Sequence, residues 1–176
     1  MASTLIKNIK TIYGIETQPS SFKKGTAMSV VDTYDNAYIL IENDKIISIG
    51  SMSSELPRVD TKIDANQGLV MPSWCDSHTH IVFAQGREGE YVDRLRGISY
   101  EQIAKNGGGI LNSAARLQAK KEDELYLSAK SRLDEVISMG TGAIEIKSGY
   151  GLTTESELKM LRVIRRLKEN SNATIK

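Results

Sequence analysis

Two regimes of hydrophobic patterning divide the chain. From Thr4 to about Ile63 the apolar residues fall in short, β-branched runs: Leu5-Ile6-Lys7-Asn8-Ile9, Ala37-Tyr38-Ile39-Leu40-Ile41 and Lys45-Ile46-Ile47-Ser48-Ile49-Gly50. The last two are separated by Glu42-Asn43-Asp44, which predicts a hairpin. Between Glu16 and Val31 the chain is polar, with Pro19, several serines and Gly25, and reads as a loop. The pattern predicts a small antiparallel sheet, too short for a sandwich by itself and in need of strands from elsewhere.

From Gly68 the period changes. Gly68-Leu69-Val70-Met71-Pro72 leads through Trp74-Cys75-Asp76 to Ile81-Val82-Phe83-Ala84, a strand or strand end closed by Gln85-Gly86. Helical stretches follow at Tyr91 to Leu95, at Ser99 to Ala104 with Ser99 as cap and Gln102 three residues on, and at Leu111 to Ala119 after Gly107-Gly108-Gly109. A longer helix over Lys121 to Met139 carries the stripe Leu125, Ala129, Leu133, Val136 and Ile137, and Gly140 ends it. Thr141 to Lys147 is a strand, and Ser148-Gly149-Tyr150-Gly151 is a loop. Thr154 is the expected cap of a helix from about Glu155 to Lys168, with Leu158, Leu161, Val163, Ile164 and Leu167 mostly on one side. Ala173 to Lys176 begins another strand. This alternation is α/β with parallel strands, and the expected domains are a β-sheet unit over 1–66 and βα units over 67–176. The second part supplies about two βα units, whereas an eight-fold barrel needs ~250 residues. The expectation is therefore the opening of a longer protein.

Composition narrows the partners. Across 176 residues, 23 Lys and Arg face 22 Asp and Glu for a net charge of +1, so no electrostatic case exists for nucleic acid or an anionic membrane. Cys75 is the only cysteine, which excludes an internal disulfide and suits a reducing compartment. No apolar run approaches the ~20 residues that span a bilayer, and the start has no apolar signal stretch. A soluble, cytoplasmic protein is expected.

The candidate chemistry is concentrated in His78-Thr79-His80, the chain's two histidines. Strand side chains alternate with a period of two, so both imidazoles should converge on one point, with Asp76 on the same face. Paired imidazoles suit zinc, iron, copper or nickel. Asp76 reads better as a supporting group than as a ligand. In a parallel α/β barrel functional groups sit at the C-terminal strand ends. Arg87 and Glu88, in the loop after the first strand, and Tyr150, in the loop after the second, would rim one mouth. They would offer a cation for an anionic substrate and a hydroxyl for a polar group. The triple glycine lacks the Lys-Ser/Thr of a P-loop and reads as a tight loop near the site. Glu145 and Lys147 share a strand face and should form an ion pair rather than a carboxylated, metal-bridging lysine. Cys75 reads as a packed thiol.

The small sheet followed by Leu69-Val70-Met71-Pro72 and Asp76-Ser77-His78-Thr79-His80 resembles the opening of the amidohydrolase superfamily. Phe83-Ala84-Gln85-Gly86-Arg87-Glu88, Gly107-Gly108-Gly109-Ile110-Leu111, Lys147-Ser148-Gly149-Tyr150-Gly151-Leu152 and Glu157-Leu158-Lys159-Met160-Leu161-Arg162 resemble the imidazolonepropionase family more specifically. The resemblance covers essentially the whole chain. It implies a TIM-like (β/α)8 barrel, incomplete here, preceded by a composite sheet domain, with one zinc or iron ion. It also implies that His78 and His80 are the first two metal ligands, and that Arg87, Tyr150 and, less directly, Tyr100 bind the substrate. The implied reaction is hydrolysis of the cyclic amide of 4-imidazolone-5-propanoate to N-formimidoyl-L-glutamate in histidine degradation. The substrate is a small molecule with a carboxylate, and the resemblance leaves room for a homodimer. Ser73-Trp74-Cys75 departs from the Gly-Leu/Phe-Val that usually precedes the aspartate, changing packing but removing no ligand.

On the same resemblance the remaining ligands and the acid/base groups lie beyond Lys176, so no catalytic acid or base is expected within this chain, and the segment alone should be inactive. Two alternatives stand beside this reading: another cyclic amidase or aminohydrolase of the superfamily, or a non-catalytic binding module that keeps the start of the fold.

Overall fold

The structure is a computed structural model that describes residues 2–16 and 20–176; part of the expected loop, Thr17 to Pro19, lies outside the described residues. Two compact units divide between Pro72 and Ser73.

In the first unit, β1 (Ser3–Tyr13) is the spine. It pairs antiparallel with β2 (Thr33–Glu42), which pairs antiparallel with β3 (Lys45–Ser51). The hairpin between β2 and β3 forms where the sequence places it, with Asn43 at φ 57°, a left-handed conformation that asparagine tolerates. The sheet is mixed, not antiparallel throughout as the pattern suggests. β4 (Thr61–Asp64) and β5 (Leu69–Val70) both run parallel to β1 along its other edge. The reason lies in β1, whose Leu5, Ile9 and Ile12 are buried. The chain returning from β3 crosses to the free edge of β1 and runs in its direction. Leu69 and Val70, which read as the approach to the next strand, are thereby held in this sheet. Ile9, Ile12, Ala37 and Ile39 form its core.

The second unit has a three-stranded parallel sheet in the order β6-β7-β8, from β6 (Trp74–Thr79), β7 (Thr141–Ile146) and β8 (Thr174–Ile175). Between β6 and β7 run α1 (Glu88–Leu95), α2 (Tyr100–Lys105), α3 (Gly109–Ala119) and α4 (Glu122–Ser138); α5 (Thr154–Glu169) connects β7 to β8. Ile144, Ile146 and Ile175 pack against Leu125, Leu133, Met160 and Val163 of α4 and α5. In α4, Leu125, Ala129 and Leu133 of the expected stripe are buried, and Val136 and Ile137 are partly so. In α5 the buried ridge is Ser156, Met160, Val163, Ile164 and Leu167, whereas Leu158 and Leu161 are each 49% exposed. The ridge follows the i, i+3, i+4, i+7 rule from Met160, which Leu158 and Leu161 break.

Two caps differ from expectation. Thr153, not Thr154, caps α5, its side chain accepting from Ser156 N at 3.2 Å. Ser99 caps α2 by accepting from Gln102 N at 3.2 Å, but the Gln102 amide donates to Asn106 at 2.9 Å rather than closing a capping box. Cys75, read as packed, is exposed, because β6 is an edge strand whose Trp74 is also 60% exposed. Among the described residues no helix is long and apolar enough to cross a membrane.

Candidate metal and substrate site

His78 lies on β6 and His80 just past its end. Period-two alternation brings the rings together: Nε2 of His78 is 3.3 Å from Nε2 of His80, with ring centroids 5.2 Å apart. Two imidazole nitrogens each ~2.0–2.1 Å from a tetrahedral zinc ion would stand about 3.3 Å apart. The pair fits two positions of one metal centre. His80 Nδ1 is buried and has no hydrogen-bond partner among the described residues. Asp76 Oδ1 accepts from the backbone N–H of His78 at 3.1 Å. That bond ties its carboxylate to the β6 backbone just before the histidine pair. Among the described residues no group of three or more His, Cys, Asp or Glu side chains could hold a metal.

The segment after His80 is fixed from outside. Nη1 of Arg132, on α4, donates to the carbonyls of Ile81 and Phe83 at 3.1 Å each, and its guanidinium lies over the Phe83 ring at 3.6 Å. Burial pulls the Arg132 guanidinium below its ordinary pKa. Lys120 Nζ donates to the carbonyl of Ala84 at 3.0 Å.

Beside His80 opens a cleft of about 210 Å³ whose lining includes Phe83, Arg87, Ser113, Leu117 and Tyr150. The Tyr150 ring meets His80 edge-on at 4.8 Å. Arg87 stands at the N-terminus of α1, with Nη1 3.6 Å from Glu90 Oε2. Glu90 Oε1 in turn accepts from Gly109 N at 2.9 Å, tying the arginine to the triple-glycine turn that starts α3. Arg87 also borders a second, more polar cleft of about 290 Å³ with Asn106, Gly108, Asn112 and Arg116. His80, Arg87 and Tyr150 thus share one cleft, with His78 beside it. Tyr100 does not join them; it lines a separate depression with Gly108, Gly109 and Ile110. Lys147 pairs with Glu145 as expected, and that contact holds the Glu145 carboxyl below the usual carboxylate range.

Glu157 is absent from the sequence-level candidates. From α5 it accepts the N–H groups of Gly149, Gly151 and Leu152 at 2.7, 2.6 and 3.0 Å. Burial pushes its pKa up, but the backbone bonds from Leu152, Gly149 and Gly151 outweigh that and hold it below the ordinary glutamate value. The sequence signal was a glutamate opening the family-like segment that follows the glycine-rich loop; nothing in its spacing says that it folds back.

No family model matches the chain. Among curated proteins, the imidazolonepropionases of Christiangramia forsetii and Flavobacterium johnsoniae are each 51% identical, over 174 and 175 residues respectively, which is 98% of this chain. The chain spans 42% of the length of each. Among solved structures, a triazine hydrolase matches 95% of this chain and 34% of its own with a TM-score of 0.61 at 19% identity. A variant of atrazine chlorohydrolase from Arthrobacter aurescens TC1, complexed with zinc and atraton, matches 98% of this chain and 34% of its own with a TM-score of 0.55 at 16% identity. At those identities the structural likeness speaks for the fold, that of the amidohydrolases. At half identity along nearly all of its residues, the chain is homologous to an N-terminal portion of the imidazolonepropionases.

Proposed function

We propose that this chain carries the first two metal ligands and the substrate-tail contacts of an imidazolonepropionase. The reaction adds water across the cyclic amide of 4-imidazolone-5-propanoate, breaking a ring C–N bond to give N-formimidoyl-L-glutamate. The observation that carries the reading is the pair of Nε2 atoms of His78 and His80, 3.3 Å apart, beside a cleft lined by Arg87 and Tyr150. In this proposal β6, β7 and β8 are the first strands of a (β/α)8 barrel, and β1 to β5 belong to a sheet domain, reaching through Val70, that other strands complete.

Each residue has its own part. His78 and His80 present Nε2 to one zinc or iron ion, whose other ligands come from residues outside this segment. When bound, such an ion polarises a carbonyl and lowers the pKa of water toward ~7. Arg87 takes the propionate carboxylate in a fork of two N–H donors, for which a guanidinium is shaped. It would exchange its 3.6 Å contact with Glu90 for that stronger one. Tyr150 offers its hydroxyl to the substrate while its ring packs on His80. Tyr100, in the separate depression beside the glycine turn, is the weaker candidate for a substrate contact. Phe83 and Leu117 supply the apolar wall that keeps water from the ring. The general acid and base are not among this chain's groups. The same reading proposes a cytoplasmic enzyme that acts on a small molecule, with room for a homodimer.

Assaying the full-length protein that contains this segment, by loss of imidazolone-propionate absorbance with and without a chelator, tests the proposal. Metal-dependent turnover is expected. Turnover of a different cyclic amide with none of this one would reassign the substrate, and no hydrolysis at all would favour a binding module.

A further inference from the structure

We infer that Glu157 is a positioning residue, whose carboxylate holds the loop of residues 148–152 in the one conformation that sets Tyr150 against His80. The inference rests on the reading of His80 and Tyr150 as parts of a metal and substrate site.

The carboxylate is committed to the loop and not to its own helix. Thr153 already caps α5 through Ser156 N, and both oxygens of Glu157 are taken by N–H groups five to eight residues earlier in the chain, those of Gly149, Gly151 and Leu152. Hydrogen bonds to an ionised acceptor are about twice as strong as neutral ones, and three converge here. They are needed because the loop is not relaxed. Gly149 sits at φ 120° and Leu152 at φ 56°, and a non-glycine residue with positive φ is held there by its surroundings.

Close packing makes the hold specific. A Cβ on Gly151 would lie 2.7 Å from the backbone nitrogen of Glu157, so the loop lies directly on the first turn of α5. On the other side of the loop, Gln118 Nε2, from α3, donates to the Gly151 carbonyl at 2.8 Å. Gly149 faces the histidine, since a Cβ there would come 3.8 Å from His80 Cε1. Tyr150 stands between these two held glycines, with its ring 4.8 Å from that of His80. Releasing the Glu157 bonds frees the Tyr150 backbone without touching any group that meets substrate.

The test uses the full-length protein and the variants Glu157→Ala, Glu157→Gln and Tyr150→Phe, each alone and with Tyr150→Phe combined with either Glu157 change. Glu157→Gln keeps the side-chain shape and serves if Glu157→Ala does not fold. Two readouts are taken: amide exchange at Gly149, Gly151 and Leu152, and kcat and KM separately. Loss of the carboxylate should speed exchange at those amides by about tenfold or more and raise KM about tenfold with kcat changed less. Tyr150→Phe should raise KM without altering exchange, and the double variant should be no worse than the worse single, the signature of one pathway. Unchanged exchange, or KM effects that multiply in the double variant, would overturn the positioning role. If Tyr150→Phe leaves KM at the parent value, the substrate role of Tyr150 fails instead, and the exchange rates still decide whether Glu157 holds the loop.

Discussion

At the residue scale, the site is built from short-range rules with distant supports. His78 and His80 converge because a strand repeats every two residues, and the bond from the His78 backbone N–H to Asp76 ties down the strand just before them. Removing a group that merely supports a metal ligand costs about 10–100-fold in affinity, so His80→Ala should lower metal affinity of the full-length protein by more than that, read by competition with a chelator. Arg87→Lys keeps the charge but loses the fork. It should raise KM for imidazolone propionate about tenfold with kcat little changed, and an analogue without the carboxylate should not sense the change. Glu157 adds a pH signature. Its folded pKa lies below its unfolded one, so its stabilisation is complete above the ordinary glutamate value and is lost as pH falls through the folded value. Amide exchange at Gly149, Gly151 and Leu152, corrected for intrinsic rates, should be flat above about pH 5 and accelerate below about pH 4. The histidine pair, Arg87 and Tyr150 were legible in sequence because each belongs to a local motif. Glu157 and Arg132 were not, because their partners are backbone groups that only packing brings near.

At the element scale, the sequence pattern located the α-helices and most strands among the described residues, but not the short 3-10 turn at Gly25–Ser29, and the ends and faces depended on particular contacts. The α5 cap is the sharpest case. Two adjacent threonines offer the same side chain, and the backbone of Thr153 is extended, with φ −136° and ψ 150°, while Thr154 has entered the helix. Thr153→Ala should therefore destabilise by about 1 kcal/mol and Thr154→Ala by less than about 0.5 kcal/mol, measured by denaturant midpoints. The buried ridge gives a second contrast. Leu167 is 1% exposed in the core between α5 and the sheet, so Leu167→Ala should cost about 2–5 kcal/mol. Pattern alone could not choose between Met160 and Leu161 as the inward residue, because both are apolar. Packing against α4 and the sheet makes that choice, with Met160, Val163, Ile164 and Leu167 inward.

At the scale of the whole molecule, the chain matches 42% of the length of its curated relatives, and its second unit leaves β6 an exposed sheet edge beside Trp74. Leu127, Leu158 and Leu161 are likewise exposed on α4 and α5. Expressed alone, these residues should bind a hydrophobic dye and self-associate in size-exclusion chromatography, as uncovered edges and apolar faces do, and should turn over no imidazolone propionate. A monomeric, cooperatively folding 176-residue protein would contradict this. By itself the sequence determined the α/β alternation, the convergence of two imidazoles and the cluster of Arg87 and Tyr150 behind them, since these follow from repeat periods and local motifs. Only the tertiary structure decided that β4 and β5 join β1 in a mixed sheet, that Tyr100 stands apart, and that Glu157 and Arg132 secure the loops around His80. Those outcomes depend on which edges and helix faces meet, and no local period encodes such encounters.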